Sequence, residues 1–159
     1  VTKQSATPVA DQAFNEMSQL DEREVVKRDN ERLEFERRSK APEVAARMTA
    51  PVHSVGNMLR EWERLVNAVE SDWKAVDYFL VDDYVHALEV RHLLEETVKK
   101  MSDGFQSLKA ALDALDRRFI AHTIQQGDGG AGELAPWLRT QVARAPEWLW
   151  DRRPRVLPW

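Results

Sequence analysis

Hydrophobic positions in the middle of the chain follow a heptad. Stepping alternately by four and three meets Trp62, Val66, Val69, Trp73, Val76 and Leu80. One extra step of four, a stutter, reaches Tyr84 and continues through Ala87, Arg91 and Leu94. From Leu94 the frame runs over Val98, Met101, Phe105, Leu108, Leu112, Leu115 and Phe119, eight large apolar residues in succession. At this composition such a run has a chance of roughly one in a thousand in a fixed frame. A spacing of this kind marks a helix seam, and a stutter locally unwinds a supercoil. Met58, Leu59, Leu65, Phe79, Val85, Leu88 and Val90 lie off the seam and make the apolar face wider than a two-stranded coil requires. The pattern predicts an all-α protein in which long heptad-patterned helices form a bundle or coiled coil over residues 52–126, the core and self-association segment.

That segment contains no proline, and only Gly56 and Gly104 interrupt it. Lys99 and Lys100, followed by Ser102, Asp103 and Gly104, combine basic residues at a helix end with a glycine C′ position. Asp103 and Gln106 have the spacing of a capping box, so a turn is expected at 102–104. The heptad phase runs straight through this turn, which a single continuous helix also explains, and the sequence leaves both open. Residues 70–72 are a weaker break.

The flanks read differently. Residues 1–13 are polar, contain Pro8 and are expected to be disordered. Residues 14–50 form a charged helical arm. Positions 21–40 alternate seven acids with seven bases, and Glu24/Arg28, Glu34/Arg38 and Glu36/Lys40 are acid-before-base pairs one turn apart. Its apolar stripe, Phe14, Met17, Leu20, Val26 and Leu33, is thin. Pro42 and Pro51 bracket one or two further helical turns. Residues 127–136 are a glycine-rich linker, and 137–159 an extended or short-helical tail. In the tail Pro136 opens a helix to about Arg144, Pro146 opens another turn, and Pro154 with Pro158 keeps the end extended.

Composition narrows the classes. Of the 159 residues, 43% are hydrophobic and 31% charged, ordinary for a helical protein with a core. The formal net charge of −4 disfavours a dedicated nucleic-acid binder. Without cysteine there are no disulfides, thiolate nucleophiles or Cys-type zinc sites. No apolar signal region opens the sequence and no stretch approaches a membrane span. A cytoplasmic location, or one within an assembled particle, is therefore expected. A leading valine, taken as a literally translated GTG start, points to a bacterial or phage gene.

Candidate chemistry is sparse. Residues 70–96 hold eight acids against Lys74 and Arg91. Within them Asp82, His86 and Glu89 share a helical face, and Glu89 and His92 have the Glu-x-x-His spacing of di-iron bundles. No second copy of that spacing exists, and Asp82 and Glu89 would stand roughly 10 Å apart along one helix. No metal or cofactor is expected. The glycines at 127–132 follow a helix and lack the lysine of a phosphate loop, and no nucleophile elbow is present. The chain is read as non-catalytic.

The tail is the most unusual feature: Trp137, Trp148, Trp150 and Trp159 beside Arg152 and Arg153. Tryptophan and arginine dominate binding hot spots. These six are the candidate partner-binding residues, docking either on the chain's own bundle or on a neighbour. Trp148 and Trp150 are the expected anchors, and Arg152 or Arg153 the expected contacts to the acidic middle. The function expected is an assembly or interaction module that binds itself and another protein. Two rivals stand beside it. One is a nucleic-acid adaptor stacking bases on the tryptophans; the other is a metal-dependent helical enzyme built on Glu89 and His92.

Overall fold

A computed structural model describes residues 6–74, 79–101, 105–125 and 147–159. The glycine linker, the helix expected after Pro136, Trp137, Val76 and the turn at 102–104 lie outside those residues. The described chain is mostly helical: α1 Val9–Asn15, α2 Gln19–Arg38, α3 Pro42–Arg47, α4 Val55–Glu70, α5 Val81–Lys99, α6 Gln106–His122 and the short α7 Glu147–Trp150. Two short strands, β1 Thr123–Gln125 and β2 Arg152–Pro154, pair antiparallel with Thr123 opposite Pro154. Residues 123–125, expected to prolong a helix, are thus a strand paired with the extended tail.

The core is α4 packed against α5 and α6. Ser54 caps α4 by accepting the Asn57 N–H at 3.1 Å. The inward stripe of α4 buries Met58, Leu59, Trp62, Leu65, Val66 and Val69 almost completely. Tyr84, Leu88 and Leu94 from α5 and Leu108, Leu115 and Phe119 from α6 close over it, and Trp62 meets the Phe119 ring at 4.8 Å. Most described seam positions are therefore buried, but by intramolecular packing of three helices. Leu80, which precedes α5, is 40% exposed.

The continuous-helix alternative fails on geometry. Arg91 and Asp116 would stand roughly 37 Å apart on one straight helix, yet their side chains meet at 2.5 Å. Arg91 is only 5% exposed although it occupies a seam position. Its Nε donates to Asp116 Oδ1 at 2.9 Å, its Nη2 to Oδ2, and the Trp62 indole N–H donates to the same Oδ1 at 3.0 Å. One carboxylate thus joins all three core helices.

The amino-terminal region differs from the disordered segment expected. Residues 9–15 form α1, which packs on α4 and α6. Ala10 and Ala13 are small enough for close helix approach and are buried. The free N–H groups of Val9 and Ala10 donate to the two oxygens of the buried Glu63 at 2.6 and 2.9 Å, supplying the acceptors a helix start lacks. A carboxylate in an otherwise apolar stripe of α4 gave no sequence signal of its target.

The arm also packs on another face than expected. Val25 and Leu33 turn inward, while Leu20 and Val26 are 74% and 57% exposed. The inward row is Val25, Leu33 and Glu36 with the half-buried Asp29 between them, so a search for apolar spacing alone selects the wrong valine. Asp29 accepts the Val55 N–H at 2.8 Å. Glu36 accepts those of Val52 and His53 at 2.7 and 3.0 Å. These contacts tie α2 to the start of α4, and Arg28 Nη2 reaches the Lys100 carbonyl beyond α5 at 2.7 Å. Of the three ion pairs expected along α2, Glu24–Arg28 closes at 2.8 Å. Glu34 pairs instead with Arg37, and Glu36 with Arg32.

Candidate functional site

The tail sits on a receptor built by the α4–α5 junction. α4 ends at Glu70, and the chain then passes through Asp72 and Trp73 with φ of 49° and 66°. Both are left-handed without being glycine, a conformation that costs on the order of 1–3 kcal/mol each and needs surrounding contacts to persist. The Trp73 N–H closes the turn on the Ala68 carbonyl at 2.8 Å. This geometry brings the Trp73 ring against Phe79 at 4.5 Å and lets its indole N–H donate to the Val156 carbonyl of the tail at 2.6 Å.

One turn into α5, Tyr84 is fully buried and its hydroxyl donates to the Arg152 carbonyl at 3.0 Å. Burial pushes this phenol far above its ordinary range, and the nearby Arg152 charge only partly opposes that. Tyr84 therefore acts as a neutral donor. The ring of Trp159 lies 5.8 Å from that of Tyr84, and the Arg91 guanidinium lies 5.4 Å from the Trp148 ring centre, within cation–π range.

The expected tail residues have separate fates. Trp150 is 2% exposed and, with Leu149, belongs to the chain's own core; its indole N–H is buried without a partner. Trp148 is half-buried against that core, and Trp159 stays 39% exposed. Among the described residues Arg152 meets backbone carbonyls rather than the acidic middle. Its Nη1 reaches the carbonyls of Ile120 and Thr123 at 3.4 and 3.3 Å, where the unpaired carbonyls at the end of α6 attract a cation. Arg153 Nη1 reaches the neighbouring Pro154 carbonyl at 3.3 Å. The contact to the acidic region is made by Arg155, 3.6 Å from Asp72. The described tail residues thus pack on the chain's own core, where Trp150 is buried.

Trp73, Tyr84 and Arg91, the receptor side chains, were not singled out in the sequence as tail contacts. Arg91 offered a usable signal, because a charge on a buried seam requires a partner.

The Asp82–His86–Glu89–His92 face does not converge on a metal. His86 Nε2 lies 3.2 Å from Glu61 Oε1 and its Nδ1 3.9 Å from Glu89, while His92 Nδ1 is buried and unpaired. Among the described residues no group of three such side chains is arranged to hold an ion, and no helix is long and apolar enough to cross a membrane. Compared with known proteins, the chain matches no family model, no curated protein and no solved structure.

Proposed function

We propose that this protein is a non-catalytic assembly module that associates through exposed apolar side chains of its charged arm. The observation that carries this reading is the exposure of α2. Leu20, Val26 and Phe35 stand 74%, 57% and 61% exposed on a helix that buries only Val25, Leu33 and Glu36. Val44 and Val52, at the corner where α2, α3 and α4 meet, are 50% and 63% exposed. Large apolar side chains left exposed on a peripheral helix suit a protein contact. The interleaved charges around them suit orientation and selectivity more than affinity.

Other features support the same reading. Asp29, Glu36, Glu63 and Asp116 each hold backbone N–H groups or bridge helices. That use is structural. A nucleic-acid adaptor needs exposed indoles for stacking; among the described tryptophans Trp62, Trp73 and Trp150 are buried, Trp148 is half-buried and Trp159 is exposed.

Sedimentation velocity over a concentration series tests the proposal, comparing the wild type with Phe35→Glu combined with Val26→Glu. The wild type is expected to associate as concentration rises. The double variant should remain monomeric with unchanged far-UV circular dichroism. A wild type monomeric throughout, or a double variant that associates equally well, refutes it.

A further inference from the structure

We propose that α1 exchanges between two copies of this chain, swinging on a hinge at Met17 and Ser18 to occupy the α4–α6 groove of a second copy. This rests on the assembly reading above but names a different contact, so the two can fail separately.

The receptor half of the contact is demanding. Glu63 is 7% exposed and both its oxygens accept α1 backbone N–H groups. If α1 simply left, a buried carboxylate would lose its partners. Phe14 lies over Gly56, where a Cβ would stand 3.6 Å from the ring, and Arg60 adds an ion pair to Asp11 at 3.3 Å. The groove is thus built for this segment and is best refilled by an identical one.

The hinge half is permissive. Glu16 already has right-handed angles, φ −88° and ψ −3°, and Ser18 is extended at φ −71° and ψ 161°. Neither glycine nor proline occurs from Val9 to Ala41, so nothing in the residue types opposes one helix running from α1 into α2. Turning the hinge to helical angles would create that helix and carry α1 away from its own groove. Short connections between packed elements are where such exchange arises.

Leu20 supplies an independent sign. It is 74% exposed in α2. In a fused helix the order Ala10, Ala13, Met17, Leu20 has the three-four-three spacing of a single face. The most exposed large apolar residue of the arm would then extend the stripe that α1 buries.

The hinge is tested in the full chain. Ser18→Ala removes the cap to the Asp21 N–H at 3.2 Å and favours the fused helix. Ser18→Pro fits the present φ of −71° and blocks the fused helix. Light scattering should show S18A dimerising at lower concentration than the wild type, while S18P loses that added association. The chain has no cysteine, so D11C and R60C placed on separate S18A chains report the exchange. Mixed at high concentration, they should cross-link to a heterodimer through a short bismaleimide. S18A that stays monomeric, or a dimer that forms equally in S18P or does not cross-link, overturns the exchange. A dimer retained in S18P but lost on Phe35→Glu would leave the arm-surface reading standing.

Discussion

Replacing Asp116 with alanine tests whether one carboxylate organises the three-helix core. The change removes the acceptor for Arg91 Nε and Nη2 and for the Trp62 indole at once. Breaking a buried ion pair from one side costs about 3–5 kcal/mol, because the remaining charge stays desolvated. Two features place this case at the low end. Arg91 keeps Glu95 at 3.3 Å, and the Asp116 side chain is 14% exposed, so water can enter. A loss of about 3 kcal/mol is expected, a large share of a typical folding free energy of 5–15 kcal/mol. For a chain of this size it corresponds to a fall in Tm of roughly 6–12 °C. Replacing both partners, Arg91→Met with Asp116→Ala, removes the stranded charge and should recover part of the loss. About 1–3 kcal/mol would remain for the unpaired Trp62 N–H. Urea unfolding of the wild type, Asp116→Ala, Arg91→Met and the double variant, followed by circular dichroism and tryptophan fluorescence, closes the double-mutant cycle. An Asp116→Ala variant within 0.5 kcal/mol of the wild type, or a double variant that loses the sum of both single losses, would refute the reasoning.

Three further outcomes follow from the same contacts. Trp150→Ala should cost about 3–5 kcal/mol in the isolated chain, measured by urea unfolding, because the residue is core; a wild-type midpoint would mean that the tail is not integral. Leu108→Ala, at a fully buried position, should cost about 2–5 kcal/mol, and stability unchanged in the same assay would contradict the packing of α6. Burial alone would raise the Glu36 carboxyl, but the His53 and Val52 N–H groups and the Arg32 guanidinium outweigh it and hold it below its ordinary value. Its stabilisation is therefore present above the unfolded carboxylate pKa and lost as pH falls through the lower folded value. In Glu36→Gln this acid-side loss should be reduced, and an acid titration of stability identical to the wild type would count against it.

Apolar burial was legible in the sequence to the extent that it dominated. The frame from Trp62 to Phe119 found the inward residues because each core helix must bury a stripe whatever its neighbours are. The same frame did not reveal chain reversal, since residues entering α5 and α6 in phase look the same on one helix or two. What the pattern missed is polar. α1 is a seven-residue helix held by alanines and Glu63, and alanines at a close approach carry little apolar weight in a sequence window. In α2, Asp29 and Glu36 read as solvated charges because their acceptors serve backbone groups of distant residues. The tail tryptophans drew attention for the right reason, their area, but their receptor depends on the left-handed turn at Asp72 and Trp73. Neither residue type suggests that turn.

These omissions share a physical basis that bears on how the molecule works. The three peripheral segments are tied to the core largely through side chains that satisfy distant backbone groups. Glu63 holds the start of α1; Asp29, Glu36 and Arg28 hold α2; Trp73, Tyr84 and Arg152 hold the tail. Each such bond contributes only about 0.5–1.5 kcal/mol net, or up to about 3 when charged. Yet each is directional, because the acceptor or donor it serves has one position. Apolar burial would fix the same segments more firmly and with less choice of register. α1 and α2 therefore have defined seats and modest attachment energies beside a cohesive three-helix core, while the tail is also anchored by burial of Leu149 and Trp150. Local opening is confined to such segments when the core carries most of the stability. In the assembly reading proposed above, that division would let a segment change partners while the core, and the empty seat on it, keep their geometry.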